Sequence, residues 1–253
     1  MVYFVIENKK PTETYGFLRL LNFKFMKILV EVCAQSYVSA MTAQAANADR
    51  IELCAALEVG GLTPSLSLIL AVRRDVTLPI CVLVRPRAGD FVYTKEEFEI
   101  IKNDVIWCRD NGMDGVVVGC LDEYNELDAL KMKELARLAY PMDVVCHKAF
   151  DKTPTPSVSL EKLINWGYDR VLTSGGAKNV VEGQAVLKAL VEQSAGQIEI
   201  LAGGSVRANN VVELVQSTGV TQVHSSANQF YVDKNCSETD IEEVQKMIAS
   251  LKF

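Results

Sequence analysis

Eight short apolar runs, rich in β-branched residues, recur along the chain after residue 26. A polar turn and then a segment with helical spacing of apolar residues follow each run. The runs start 22 to 35 residues apart, which is enough for one strand, one helix and two loops. They are KILVEVC (27–33), DRIELC (49–54), PICVLVR (79–85), DGVVVG (114–119), MDVVCH (142–147), DRVLTS (169–174), IEILAGG (198–204) and TQVHSS (221–226).

The segments between the runs carry helix start signals. Thr94 and Glu97 have the spacing of a capping box. Pro156 suits the first turn of a later helix. A last helix is predicted from Ser237. Its apolar residues, at near-helical spacing, are Ile241, Val244, Ile248 and Leu251.

Apolar strands that alternate with helices predict parallel strands buried on both faces. Eight such units predict an α/β fold, a single (β/α)8 barrel of the TIM type with a C-terminal helix. We assign the barrel to residues 26–253. Residues 1–25 have no clear period and are interpreted as an N-terminal extension. Our hypothesis is that Met26 is the real start and that this extension is mis-assigned, and the alternative is an ordered N-terminal strand or helix. A doubly wound open sheet is the alternative to the barrel. The turn after the first run, EVCAQS, lacks a glycine-rich phosphate motif, so no nucleotide cofactor is predicted.

Composition narrows the class of protein. The net charge is −6 and no lysine or arginine run is present, which argues against a nucleic-acid partner. No apolar stretch reaches the roughly 18 residues that a membrane span needs. Seven cysteines without a CxxC pair favour a reducing compartment, so we expect a cytoplasmic protein. A homo-oligomer is compatible with a barrel of this size, but no interface motif indicates one.

Polar side chains concentrate at the predicted carboxyl ends of the strands, where the sites of such barrels form. Glu31 and Cys33 close the first strand, and Glu52 and Cys54 close the second. Because strand side chains alternate between faces, the two members of each pair point to the same side. If that side is the barrel interior, two carboxylates and two thiols converge there.

The charged residues at these ends predict an acid–base site. Glu31 or Glu52 would serve as a general base, with His147 as its acid partner. Arg85 and Arg87 share a face after the third strand, and we expect them to neutralise the carboxylates and to hold an anionic substrate. The structural alternative is an ion-pair network that holds the barrel rim.

The turns after the last two strands predict anion binding. Gly203, Gly204 and Ser205 end the seventh run, and Ser225 lies in the eighth. Barrels often bind phosphate there through backbone N–H groups, and glycine lets the backbone approach closely. Arg87 is expected to contribute a cation to the same anion site. The alternative is that these segments are tight turns and nothing more.

Cys33 and Cys54 are candidate metal ligands. Cu(I) is a soft ion that favours thiolates. Adjacent parallel strands lie about 4.8 Å apart, so thiols at equal heights can meet around one ion. The alternative is that both are small apolar packing residues. Neither histidine stands in a zinc motif such as HExxH, so no zinc site is predicted.

Several ordered motifs resemble those of the CutC family of copper homeostasis proteins, over about residues 26–226. They are EVCAQS (31–36), ADRIELCAAL (48–57), GGLTPS (60–65), RPRAGDFVY (85–93), HKAFD (147–151), RVLTSGG (170–176), AGGSVRANN (202–210) and VHSSA (223–227). The resemblance implies a TIM-like barrel, cytoplasmic copper handling, and Cu(I) binding by Cys33 and Cys54. Three places depart from the family pattern. Cys146 stands where phenylalanine is usual, and Lys148 stands where arginine is usual. Gly203, Gly204 and Ser205 replace a more glycine-rich turn.

Two functions therefore compete. The first is a cytoplasmic copper homeostasis protein whose partner is the copper ion. The second is a TIM-barrel enzyme, isomerase-like or lyase-like, whose partner is a small anionic metabolite, phosphorylated or not. The first depends on the thiols, and the second depends on the charged residues at the strand ends.

Overall fold

A closed barrel of eight parallel strands organises the computed structural model, which describes residues 27–232 and 236–252. This confirms the predicted (β/α)8 barrel. The assignment of residues 1–25 to an extension concerns a segment outside the described residues. The barrel strands are β1 (Leu29–Ala34), β2 (Arg50–Leu53), β3 (Ile80–Leu83), β4 (Gly115–Val118), β5 (Asp143–Cys146), β6 (Arg170–Thr173), β7 (Glu199–Gly203) and β8 (Gln222–Ser225).

A helix follows each barrel strand on the outside of the barrel, and after β8 a short hairpin comes before the helix. Among the described residues, no helix is long and apolar enough to cross a membrane. The helices are α1 (Tyr37–Ala45), α2 (Leu66–Asp75), α3 (Lys95–Asp110), α4 (Ala129–Ala139), α5 (Pro156–Asn165), α6 (Gln184–Ser194), α7 (Val211–Thr218) and α8 (Ile241–Ser250).

Local signals set where these helices start. Thr94 and Glu97 form the predicted capping box at the start of α3. The predicted start of the last helix at Ser237 is wrong, because Ser237 pairs with Phe230 in an antiparallel hairpin. Asp240 caps α8 instead, and its side chain accepts a hydrogen bond from the N–H of Glu242.

The hairpin consists of β9 (Asn228–Tyr231) and β10 (Cys236–Thr239), inserted between β8 and α8. It is fastened to α1 by Glu238, whose Oε2 accepts hydrogen bonds of 2.5 Å from the hydroxyls of Ser36 and Ser39. The capping residue of α1 is therefore shared with the hairpin, since the Oγ of Ser36 also accepts from the N–H of Ser39.

The apolar residues form two clusters. The larger one fills the space between the strands and the helices. The smaller one lies inside the barrel, as the alternation of strand side chains requires. Its members are Cys33, Cys54, Cys81, Leu83, Val117 and Val145. Three of the six are cysteines, so thiols make up half of this apolar cluster.

Three aspartates tie together the amino ends of the strands, opposite the expected site. Each precedes an even-numbered strand and accepts a hydrogen bond from a backbone N–H near the start of the strand before it. Such N–H groups are costly to leave unpaired when buried. The pairs are Val30 with Asp49 at 2.9 Å, Ile80 with Asp114 at 2.8 Å, and Val144 with Asp169 at 2.8 Å.

Replacing Asp49 tests this arrangement, because its partner Val30 is fully buried. We expect Asp49→Ala to lower the free energy of unfolding by about 1–3 kcal/mol, the cost of an unpaired buried N–H. Urea denaturation measures it. Asp49→Asn is the control, since it keeps an oxygen acceptor and loses only the ion pair with exposed Lys27. Equal destabilisation by both variants would contradict the hydrogen-bond explanation.

Candidate functional site

The two predicted thiols meet at the carboxyl ends of β1 and β2. The Sγ atoms of Cys33 and Cys54 lie 3.5 Å apart. The Cys33 Sγ also lies 3.4 Å from Oε1 of Glu52, its register partner on β2. All three side chains are buried. The hydrogen bond with Cys54, together with burial, raises the pKa of the Cys33 thiol well above its ordinary value.

Glu31 lies one step deeper in the barrel and is fully paired. Its carboxylate accepts from Nε of Arg50 on β2 and contacts Nδ1 of His224 on β8 at 2.7 Å. Burial alone would raise the pKa of Glu31, but Arg50 and His224 outweigh it and lower the pKa to about 2. Arg50 also donates to Gln222. Glu31 thus forms a structural ion pair with Arg50, and its contact with His224 joins the first and last strands.

The expected neutralisation of the carboxylates by Arg85 and Arg87 is wrong. Arg50, at the start of β2, neutralises Glu31 instead. β3 ends at Leu83, so Arg85 and Arg87 lie in the loop beyond it, where strand alternation no longer decides their direction.

The two arginines have separate partners in that loop. The guanidinium of Arg85 donates to the carbonyl oxygens of Val59, Gly61 and Gly89 at 2.8–3.1 Å. Arg87 pairs with Asp90 and Glu97, at the start of α3. Arg85 lines the barrel mouth, whereas Arg87 is not among the residues that line it.

His224 lies with Cys33 and Glu52 in a group of side chains that could hold a metal ion, and it was not among the predicted site residues. Ligand atoms of Cys33, Glu52 and His224 all lie within 4.8 Å of one another. Burial raises the pKa of Glu52, and Glu31 adds to the rise. Burial lowers the pKa of His224, but the carboxylates of Glu52 and Glu31 outweigh it and the net shift is upward. The signal for His224 was its place, as one of only two histidines, at a strand end.

His147, after β5, faces the mouth from the opposite wall. Its Nδ1 accepts a 3.1 Å hydrogen bond from the N–H of Ala149, so Nε2 carries the proton of the neutral ring. Burial, aided by Arg85, lowers the pKa of His147 to about 3. Gly119 makes room for the ring, since a Cβ there would lie 2.5 Å from Cε1 of His147.

The predicted anion turn borders the same mouth. Gly203 ends β7, and a Cβ there would lie 2.5 Å from Leu172. Gly204 has φ +130° and would bring a Cβ within 3.3 Å of Lys148 Nζ. Ser205 is exposed. The Ser225 hydroxyl donates to the carbonyl of Val206, so it holds the end of β8 in place.

Asp151 organises the loops next to this turn. Its carboxylate accepts from the hydroxyls of Thr173 and Ser174 and from the N–H of Gly176, after β6. Lys148 Nζ lies 3.5 Å from Asp151 and donates to Ser174 at 3.2 Å. The loops after β5 and β6 are therefore fixed to each other, and they hold the ammonium at the rim.

These groups surround one cavity of about 300 Å³ at the carboxyl end of the barrel. Cys33 and Glu52 line it on the β1 and β2 side, while Arg85, His147 and Lys148 line it elsewhere. Cys54 lies directly behind Cys33. The mouth thus brings together thiols, a carboxylate, two imidazoles and several cations.

The fold and this mouth define a (β/α)8 barrel protein with a thiol, carboxylate and histidine cluster at its strand ends. The model of the CutC family matches residues 28–229. The chain therefore belongs to the CutC family, as the sequence motifs predicted.

Individual relatives agree with this. A CutC family protein of Mesorhizobium japonicum is 43% identical over 199 residues, which cover 79% of this chain and 77% of the relative. The human copper homeostasis protein cutC homolog is 39% identical over 199 residues, covering 79% of this chain and 73% of the relative.

Solved structures support the fold. A structure described as a copper homeostasis protein CutC from Streptococcus agalactiae matches with a TM-score of 0.75 and 33% identity, covering 79% of this chain and 98% of that one. A phosphoribosylanthranilate isomerase from Pyrococcus furiosus matches with a TM-score of 0.57 at 14% identity, covering 89% and 98%. The second likeness shows only that both proteins are barrels.

The neutral state of His147 makes a prediction about stability and pH. Its folded pKa of about 3 lies below the ordinary 6.5, so only the unfolded chain takes up this proton as the pH falls below 6.5. Stability from this group is therefore complete above pH ~6.5 and declines below it, by about 2 kcal/mol between pH ~7.5 and ~5.

Comparison with His147→Gln isolates this contribution, because other groups titrate equally in both proteins. We expect the wild type to lose about 2 kcal/mol of unfolding free energy relative to the variant over that interval. Urea denaturation at each pH gives the difference. A difference that does not change with pH would show that the buried ring gains its proton freely.

Proposed function

We propose that this chain is a cytoplasmic copper homeostasis protein that binds Cu(I) through the thiolates of Cys33 and Cys54. The observation that carries the proposal is the 3.5 Å separation of the two Sγ atoms at the mouth of the barrel. Two thiols are the donor set that a soft monovalent copper ion prefers. The family supports the copper role, since relatives carry the name of copper homeostasis proteins.

The distance between the two sulfurs bears on the coordination geometry of a bound ion. With metal–sulfur bonds of about 2.3 Å, a linear ion would hold the sulfurs about 4.6 Å apart. The sulfurs would then separate by about 1 Å on binding. At the present separation a bent arrangement is easier, and Glu52 or His224 is within reach to complete it.

Access to this donor set is one-sided. Cys33 lines the cavity, and Cys54 lies behind it without lining it. An incoming ion therefore meets Cys33 first. Because the pKa of Cys33 is well above its ordinary value, copper must displace protons to form the thiolates, and we expect binding to strengthen as the pH rises.

An anaerobic Cu(I) titration against a chromogenic chelator tests the proposal. We expect the wild type to bind one ion, and Cys33→Ser/Cys54→Ser to lose that site because hydroxyls are poor ligands for a soft ion. The matched control is Cys108→Ser/Cys236→Ser, which removes as many thiols from α3 and from the hairpin. This control is expected to keep the site.

Two outcomes would contradict the proposal. One is binding that survives loss of Cys33 and Cys54, or that falls equally in the control. The other is a site that prefers Zn(II) and depends on Glu52 and His224, because these oxygen and nitrogen donors suit zinc as well. A parallel Zn(II) titration of wild type and His224→Gln separates these cases.

A further inference from the structure

Three cations line the mouth of the barrel. Arg85, Lys148 and Arg207 border the cavity, and Glu52 is the carboxylate in its lining. We call Arg85, His147, Lys148 and Arg207 the basic wall. A cationic cavity in a chain of net charge −6 is not a consequence of overall composition. It indicates charge complementarity with an anion.

One donor of the basic wall is buried without a partner. Nε2 of His147 makes no hydrogen bond within the described residues, although the side chain is only 4% exposed. This atom carries a hydrogen, because Nδ1 of His147 is an acceptor. A buried donor left unpaired costs about 1–3 kcal/mol, so a ligand that satisfies it gains binding energy.

The basic wall is rigid before any ligand arrives. Three backbone carbonyls hold the terminal nitrogens of Arg85. The ring of Phe91 lies 4.9 Å from the guanidinium carbon of Arg85 and 4.9 Å from the centroid of the His147 ring. Asp151 and Ser174 hold Lys148 at the rim. Donors fixed in advance lose little entropy on binding.

We propose that the basic wall binds a small organic anion with two oxygen-bearing groups. One group accepts from Nε2–H of His147 beside the positive charge of Arg85, and the other lies against Lys148 and the turn at Gly204 at the rim. A carboxylate or carbonyl fits the first position, and a phosphate or second carboxylate fits the second. The cavity of about 300 Å³ is at the small end for ligand sites, which limits the ligand to a small metabolite.

This site is separate from copper binding by Cys33 and Cys54. Its groups come from the loops after β3, β5 and β7, whereas the thiols come from the ends of β1 and β2. Binding at the basic wall is also the first requirement of the second function that the sequence left open, an enzyme acting on an anionic metabolite.

Phosphoglycolate is a suitable probe, because it carries a carboxylate and a phosphate in one small molecule. Isothermal titration of copper-free protein measures its affinity, with glycolate and inorganic phosphate as the two fragments. We expect phosphoglycolate to bind more tightly than either fragment. Lys148→Met should weaken it roughly tenfold or more, since a charged hydrogen bond is lost. Lys148 is partly exposed, so this variant does not endanger the fold.

The control is Lys162→Met, which removes the same charge from a partly exposed lysine paired with Glu126. It should leave the affinity unchanged. His147→Phe keeps an aromatic ring but removes the donor, and should weaken phosphoglycolate and glycolate together. In nitrogen–proton correlation spectra, phosphoglycolate should shift the Nε2–H signal of His147, which is easily assigned with two histidines in the chain.

Three results would overturn the proposal. They are no heat with any of the three probes at millimolar concentration, equal weakening by Lys148→Met and Lys162→Met, and binding that leaves the His147 signal in place. Because no copper is present, each result is independent of whether the thiols hold Cu(I).

Discussion

The pairing of one buried carboxylate shapes the interior of this barrel. Glu31 lies where side chains from neighbouring strands pack together, and an unpaired charge there would cost several kcal/mol. Arg50 from β2 and His224 from β8 both contact this carboxylate. These are the strands on either side of β1, so the ion pair joins the seam where the first and last strands meet.

The geometry of the mouth follows from that pairing. Because Glu31 holds His224, the imidazole stays near Glu52 and Cys33 one layer above. Arg50 is occupied by Glu31 and Gln222, so Glu52 keeps an oxygen without a partner. The thiols therefore lie beside a carboxylate and a histidine, and the mouth has a donor-rich side and a cationic side.

The barrel itself could be predicted because its signal is local and repeated. Each apolar run became a strand, and Thr94 with Glu97 formed the expected cap. The start of the last helix could not be predicted in this way. Ser237 has little preference of its own for helix or strand, and it pairs with Phe230 across the hairpin. Such pairing depends on contacts between strands, which the helical spacing of apolar residues does not reveal.

The order of residues along the chain was enough to predict the eightfold alternation, the strand ends at which polar residues collect, and the presence of two thiols on neighbouring strands. Which charges meet depends on the folded barrel. Arg50 pairs with Glu31, whereas Arg85 turns to backbone carbonyls. His224 joins Cys33 although it lies on the last strand of the barrel and Cys33 lies on the first. Barrel closure brings β8 beside β1, and the spacing of residues along the chain does not reveal that contact.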